Sequence, residues 1–508
     1  MLSQICIVIA MICYLAIMIY VGISYSKQNT SVSNFYLGGR KLSPLVTAMS
    51  AEASDMSSWL LMGLPGVAYL SGIAEAGWTA LGLAVGTYVN WLVVSQKIRR
   101  YTHEVHAFTL PDFFSKRYGD DKNILTLVSA LIIIIFFIPY TASGFAACAK
   151  LFNTLFGIPY IAALILSAAI IVLYCTLGGF LAVSTTDLIQ GITMSIALII
   201  VICFGVFAAG GIGNVLINAQ ALPGYLSMLQ SYVPTTGDAT PYSALSIAST
   251  FAWGLGYFGM PHILLRFMAI EDETKLTFSR RIATVWVVIS MAISVFIGII
   301  GYSMSKATVI DPLEGSNSET IIIQIASVLS KYNVLCALLA GIILAGILAA
   351  TMSTADSQLL AAASGISQNL LQDFGKKKID TRTSLKIARI TVVIISWISI
   401  ILASNPDSSV FEIVSFAWAG FGAAFGPIVL CALFWKRSNK WGALCGMITG
   451  GAMIFIWKYG IAKLGGVFAI YELLPAFLLA VVVNVIVSLA TAAPSKEITD
   501  TFEKVNQK

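Results

Sequence analysis

Charge is scarce in this 508-residue chain: Lys, Arg, Asp and Glu together make up only 11% of it, against roughly 25% in an average soluble domain. Soluble domains of this combined length would need far more charged surface, so a soluble reading fails at once. Histidine is scarcer still. His103, His106 and His262 are too few and too scattered for a metal cluster. The eight cysteines contain no CxxC pair and nearly all sit in apolar runs; they read as reduced and structural, without a disulfide framework or zinc site. No G-x-x-x-x-G-K-[ST] run occurs, which argues against a pump driven by ATP. One GxGxxG does occur, at Gly254, Gly256 and Gly259. It lies inside an apolar stretch with no strand before it, so a dinucleotide reading is rejected. Long polar stretches are missing too. The longest outside the apolar runs is about 211–242 and the tail after 491 is short, leaving no room for an ATPase or a sensor's output domain. No basic region precedes the first apolar run, so the N-terminus does not read as a cleaved signal peptide. Nothing in the chain reads as an enzyme.

What is present is apolar. Hydrophobic residues make up 58% and the mean hydropathy is +0.88. A bilayer crossing takes about 20 apolar residues, and thirteen stretches qualify: 3–25, 43–70, 74–97, 123–152, 158–178, 186–210, 243–268, 278–304, 318–362, 383–403, 409–435, 440–461 and 468–491. The ninth is too long for one crossing and is expected to continue into the cytoplasm. Basic residues set the orientation. With the N-terminus outside, only Lys150, Lys306, Lys331, Lys458 and Lys463 face outward, and every other Lys and Arg, including Arg40, Arg266 and Lys376–Lys378, falls on the cytoplasmic side. That bias explains the net charge of +6 without a nucleic-acid partner. The C-terminus is then cytoplasmic, and the expected setting is a bacterial plasma membrane.

Two spans carry helix breakers. The second holds Glu52, Ser54, Asp55, Ser57 and Ser58, then Gly63, Pro65 and Gly66; the seventh holds three glycines and Pro261. Broken backbone at membrane depth survives only where something else satisfies its polar groups. The two spans are five apart, and five is odd, so they enter the membrane from opposite sides. Spans 2–6 and 7–11 then form two inverted five-helix repeats, each opening with a broken helix, the arrangement of a secondary transporter with a midplane site. The chain divides into an extra helix (3–25), a first repeat (43–210), an inverted second repeat (243–435) and two closing helices (440–491). In the ninth span Ala350, Ser353 and Thr354 share a helix face at i, i+3, i+4. Their hydroxyls suit a hard cation, or else bond their own preceding turn. The acids inside spans are Glu52, Asp55 and Asp356; each costs at least about 2.5 kcal/mol to bury and so marks a pathway or a partner. Asp187, at the start of the sixth span, reads either as a helix cap or as part of coupling.

At these residues the chain resembles the sodium:solute symporters, most nearly those that carry proline. The likeness rests on YLGGRKLSP (36–44), ASDMSSWLLMGLPG (53–66), LPDFFSKRYGD (110–120), FAWGLGYFGMPHILLRFMA (251–269) and LAATMSTADSQLL (348–360). It implies an all-α polytopic fold of thirteen spans with a LeuT-type core. It implies sodium held by the carbonyls of Ala53, Met56 and Ala350 and the hydroxyls of Ser353 and Thr354, with Asp55 in support. It implies a substrate, L-proline, held by Ser57, Trp59, Tyr140, Trp253, Tyr257 and Pro261, and a coupling or gating role for Arg40, Asp187 and Asp356. Aromatic faces suit a pyrrolidine ring and its ammonium, and a half-helix N-terminus suits a carboxylate. Met260 and Ser58 depart from the proline-carrying pattern, which keeps another small amino acid or carboxylate solute open as cargo. Proton coupling through Asp55 and Glu52 stays open as well, although the Ser353/Thr354 pair serves a proton poorly. A channel would show a continuous polar stripe, and none is seen.

Overall fold

The computed structural model describes residues 2–26, 36–175, 179–375 and 380–507. Lys27, Lys376–Lys378 and Lys508 of the expected cytoplasmic set lie outside them. Helix α1 (Leu2–Ser26) is apolar on every side. A turn at Gly38–Arg40 leads to α2 (Pro44–Ser58), which Ser43 caps by accepting from the Val46 N–H. Ser57 then leaves helical geometry at φ 47°, ψ −172°, and the chain passes through a π-helical turn, Trp59–Gly63, into α3 (Leu64–Ser71). The second span is therefore broken at its middle, as its polar and breaking residues lead one to expect.

α4 (Ile73–Val89) continues through a π turn into α5 (Ser95–Glu104), and the amphipathic α6 (Leu110–Tyr118) lies beyond it. Then come α7 (Ile124–Phe156), α8 (Tyr160–Cys175) and α9 (Phe180–Ala208). The segment after residue 208 is not bare loop. It folds as α10 (Ile212–Gln220) and an antiparallel hairpin of β1 (Gln230–Val233) and β2 (Asp238–Pro241). The seventh span is broken like the second: α11 (Ala244–Phe251), a 3-10 stretch over Ala252–Phe258, and α12 (Pro261–Ala269), which Pro261 starts. α13 (Leu276–Lys306) follows.

The ninth stretch, expected over 318–362, is two elements. A 3-10 turn at Gly315–Thr320 and the short α14 (Ile321–Leu329) are set apart by the break at Ser330–Asn333, and α15 (Val334–Ser364) runs on as a π-helix to Phe374. Asn333 caps α15 at the Cys336 N–H, a start signal buried in an apolar run. α16 (Thr381–Leu402), α17 (Val410–Phe434), α18 (Lys440–Tyr459) and α19 (Leu473–Ala490) complete the bundle. The tail folds back as the amphipathic α20 (Lys496–Asn506), with Phe502 and Val505 buried.

Among the described residues nine helices are long and apolar enough to cross a bilayer. Of the other expected crossings, two are the broken spans, and the remaining two, α8 and α16, border residues outside the described set. The most apolar window of α17 is 83% buried and that of α15 67%, against 33% for α1 and α19. The first two form the centre, and the others face lipid. α15 packs on α9, α1, α2 and α7, so the Ser353/Thr354 face meets the broken α2.

Candidate functional site

The expected cation ligands converge. The Ser353 hydroxyl donates to Ala53 O at 2.8 Å and lies 3.2 Å from Ala350 O, and the Thr354 hydroxyl donates to Ala350 O at 3.1 Å. Both hydroxyls thus bond the preceding turn, as Ser and Thr in helices do. Ser353 also reaches the other helix just before its break, a contact that back-bonding does not account for. Four oxygens from two elements meet in a buried spot, the hard-donor set that a small cation requires. The Met56 carbonyl has another partner in this arrangement, the N–H of Trp59.

Asp55 turns toward the broken seventh span. Tyr257, from the 3-10 stretch of the seventh span, donates to its Oδ2 at 2.6 Å, and Tyr140 donates to its backbone carbonyl at 3.1 Å. Its Oδ1 is buried and has no partner among the described residues. A carboxylate at this depth with one free oxygen is suited to a cationic partner. Ser57 Oγ accepts the Trp59 N–H at 3.0 Å, and Ser58 Oγ and Trp59 Nε1 beside it are buried without partners. The break therefore offers unspent donors and acceptors on both sides of one peptide.

An aromatic cluster covers them. The Trp59 and Trp253 rings lie 5.4 Å apart, and Phe411 lies 5.8 Å from Trp59 and 5.4 Å from Trp253. Tyr471 stacks on Trp253 at 5.1 Å. Trp418 meets the Tyr257 ring at 5.1 Å and donates to Trp253 O at 2.7 Å. A cavity of about 500 Å³ reaches Trp253 and Phe411 from the side of Glu75 and Glu412. Pro261 is buried at the head of α12, next to Met260. The glycines of the rejected dinucleotide motif serve close packing: a Cβ would lie 2.2 Å from Gly82 O at Gly254, 2.0 Å from Trp418 Nε1 at Gly256 and 2.2 Å from Phe421 O at Gly259.

A second cluster of buried polar contacts surrounds Asp187 and Arg266. Asp187 does not cap its helix. It sits well inside α9, fully buried, and its Oδ2 accepts from the Ser50 hydroxyl at 2.6 Å and from Arg266 Nη2 at 3.0 Å. Arg266 also donates to Ser50 Oγ at 2.9 Å, Ser357 Oγ at 2.6 Å and His262 O at 3.0 Å. Ser357 in turn donates to Asp356 Oδ1 at 3.4 Å. This network joins the second, sixth, seventh and ninth spans about one turn from the cation ligands. Arg266, counted by its charge among the residues of the cytoplasmic side, is buried at 1% exposure. Its signal in the sequence is an arginine held between ILL and FMA, with no acidic residue within four positions.

Arg40 lies farther out and touches none of the candidate ligands. It donates to Met268 O at 2.6 Å, Ala107 O at 2.8 Å and Thr102 O at 3.0 Å, stapling the end of α12 to α5 and the loop beyond it. Burial, with a smaller contribution from nearby Arg99, lowers its guanidinium to about 10, so it stays charged at neutral pH. Three further features were not foreseen. Glu52 accepts from Trp91 Nε1 at 2.8 Å and Thr87 at 3.3 Å. Lys150, counted on the outer side, is buried and paired at 2.7 Å with Glu319. Glu319 also accepts the N–H groups of Val410 and Phe411, both at 3.0 Å, which fixes the start of α17 and the Phe411 ring. Of the cysteines, those described are unpaired, and no His/Cys/Asp/Glu metal cluster exists among the described residues.

Comparison with known proteins agrees with this geometry. Residues 35–450 match the Sodium:solute symporter family. The chain is 41% identical over 496 residues to the osmoregulated proline transporter OpuE of Bacillus subtilis, covering 96% of each. It is 40% identical to the sodium/proline symporter of Haemophilus influenzae (97% of this chain, 96% of that one) and 38% to that of Escherichia coli (97% and 95%). A solved substrate-bound, outward-open Na+-coupled sialic acid symporter superimposes with a TM-score of 0.77 at 18% identity, covering 97% of this chain and 99% of that one. That likeness establishes the fold.

Proposed function

Because the chain belongs to the sodium:solute symporter family, we propose that it couples the inward movement of sodium to uptake of L-proline across the bacterial plasma membrane by alternating access. The observation that carries this is the Ser353 hydroxyl on Ala53 O, which sets the oxygens of α15 against the broken α2. The relatives' names support both the ion and the cargo. Sodium is held by the Ala53 and Ala350 carbonyls with Ser353 and Thr354, and Met56 O joins when the Trp59 N–H gives it up. The proline ring lies among Trp59, Trp253, Tyr140 and Tyr257, and its carboxylate meets the N–H groups at the break, that of Trp59 once it leaves Met56 O and Ser57 Oγ. Arg40 and the Asp187–Arg266–Ser357–Asp356 network close the cytoplasmic side. Thirteen crossings with the N-terminus outside and the C-terminus inside complete the topology.

Coupling has enough energy behind it. One sodium crossing about 100 mV releases roughly 2.3 kcal/mol, and a tenfold gradient adds roughly 1.4 kcal/mol. Together they concentrate a neutral zwitterion several hundredfold. The test is uptake of labelled proline into proteoliposomes. Expected is uptake under an inward sodium gradient, accelerated by an inside-negative potential because each cycle moves one positive charge. Uptake driven by a proton gradient alone overturns the coupling ion. Sodium-driven transport of another small amino acid or carboxylate without proline overturns the cargo. That second cargo reading is favoured by Met260, buried beside Pro261, and by the unpartnered Ser58 hydroxyl.

A further inference from the structure

On the lipid-facing side, α9 and α13 leave a groove of about 470 Å³ between them. Its floor is Met49 of α2 and Leu198, both buried, and its rim is Ile199, Val285 and Ile289, each more than half exposed. Two of the polar groups inside are spent: Trp286 Nε1 donates to Ser195 Oγ at 2.9 Å, and that hydroxyl donates to Gly191 O at 2.8 Å. Beyond these and the buried Ser290 the walls are apolar, which suits a hydrocarbon better than a water-soluble ligand. At one end of the groove stands Arg281, exposed and with no acidic partner among the described residues. Its neighbours are engaged elsewhere. Arg280 lies over the Tyr88 ring at 5.6 Å, and Lys275 pairs with Glu271 at 2.9 Å. Nearby Ser279 bonds Pro44 O at the start of α2, so this end lies where α2 and α13 both begin.

We propose that this groove binds one acyl chain of an anionic phospholipid, with the phosphate on Arg281. The groove takes a hydrocarbon, and the one unmatched cation at its mouth calls for a negative headgroup. The cytoplasmic leaflet, where the positive-inside bias puts Arg281, supplies such lipids. A neutral lipid leaves Arg281 unmatched, and a soluble anion leaves the groove unfilled. The chain would lie against Met49, whose terminal methyl fits over Gly191 so closely that a Cβ there would come within 2.7 Å. Met49 is one turn from Ala53, so the lipid touches the half-helix that carries a cation ligand. The site does not depend on which ion or cargo is carried.

The test uses the purified full chain and native mass spectrometry. Phosphatidylglycerol and phosphatidylcholine of identical acyl chains are titrated separately, with glycerol phosphate as a chain-free competitor. Expected is tighter retention of phosphatidylglycerol. Arg281→Gln should weaken it about fivefold, the effect of one basic side chain worth about 1 kcal/mol at an anionic surface, and erase the preference. Arg280→Gln should change nothing. Ile289→Trp, which fills the rim, should weaken both lipids; Val285→Phe replaces it if that variant does not elute as a single species. Equal retention of the two lipids by the unaltered protein, or unchanged retention by Arg281→Gln, overturns the proposal. Full displacement by glycerol phosphate also overturns it, because that describes a site for a free anion.

Discussion

The Asp187–Arg266 pair is a sharp test of the fold's interior. Asp187→Asn keeps the shape and removes one charge. Arg266 is then a buried cation that retains only neutral acceptors: Ser50 Oγ, Ser357 Oγ and His262 O. Breaking a buried pair in this way costs about 3–5 kcal/mol. With three acceptors left, the lower end applies, about 3 kcal/mol, or roughly 150-fold in the folding equilibrium. Arg266→Gln is worse. Asp187 Oδ1 already has no partner, and Oδ2 keeps only the Ser50 hydroxyl, which leaves a nearly bare carboxylate at membrane depth and points to the upper end, about 5 kcal/mol. The double variant Asp187→Asn/Arg266→Gln removes both charges together and should be more stable than either single one. Thermal and denaturant unfolding of the four proteins in one detergent, read as a double-mutant cycle, gives the coupling. A coupling below about 1 kcal/mol, or a double variant as unstable as the sum of the singles, refutes the reasoning.

Thr354→Val keeps the side-chain shape and removes an oxygen; the sodium concentration for half-maximal uptake should rise at least tenfold while substrate saturation at high sodium changes little, as kinetics in proteoliposomes will show. Gly256→Ala places a methyl 2.0 Å from Trp418 Nε1, whose N–H holds Trp253 O. Overpacking costs about 1–3 kcal/mol, so substrate binding should weaken about tenfold or more, by equilibrium binding of labelled proline to a variant checked for folding. For topology, cysteine placed at Gly224 should react with an impermeant reagent from outside intact cells and cysteine at Lys377 should not; the reverse pattern inverts the proposed orientation.

Much of the fold was legible because the bilayer leaves few alternatives: apolar length and breaker residues mark spans and half-helices whatever they pack on. Ser57 and Pro261 were legible as breaks for that reason, and Ser353 with Thr354 as a pair because helical spacing is arithmetic. The failures have a different physics. The apolar run over 318–362 hid the Asn333 cap that splits it, since hydropathy does not register one side chain accepting one N–H. Arg266 and Lys150 were assigned by charge only to a side of the membrane, and that said nothing of the carboxylate, remote in sequence, against which each is buried. Sign and hydropathy locate a charge near a membrane boundary; only the partner decides whether it stays at the surface. The resemblance supplied residue roles that spacing alone could not, notably Tyr257, which joins Asp55 across 202 positions.

Coupling follows from how those contacts are shared. Ala53 and Asp55 are two residues apart on one broken helix. The first turns its carbonyl to Ser353, and the second its carboxylate to Tyr257 of the other broken span. On the proposed site assignment, an ion on the Ala53 side would order the peptide that also carries Ser57 and Trp59. A substrate among Trp59, Trp253 and Tyr257 would likewise order Asp55 from the other direction. Each ligand therefore lowers the ordering cost that the other would bear, and thermodynamic reciprocity makes the two effects equal. Typical couplings of this kind are worth 1–3 kcal/mol, so saturating sodium should tighten labelled proline about 5- to 150-fold, and saturating proline should tighten sodium by the same factor. Tyr257→Phe removes the hydrogen bond that ties Asp55 to the seventh span while leaving the Ser353 contact in place, so it should reduce that factor with little loss of sodium binding measured alone. Equal proline affinity at low and high sodium in the unaltered protein would show that ion and cargo do not meet through this segment, whatever else the protein transports.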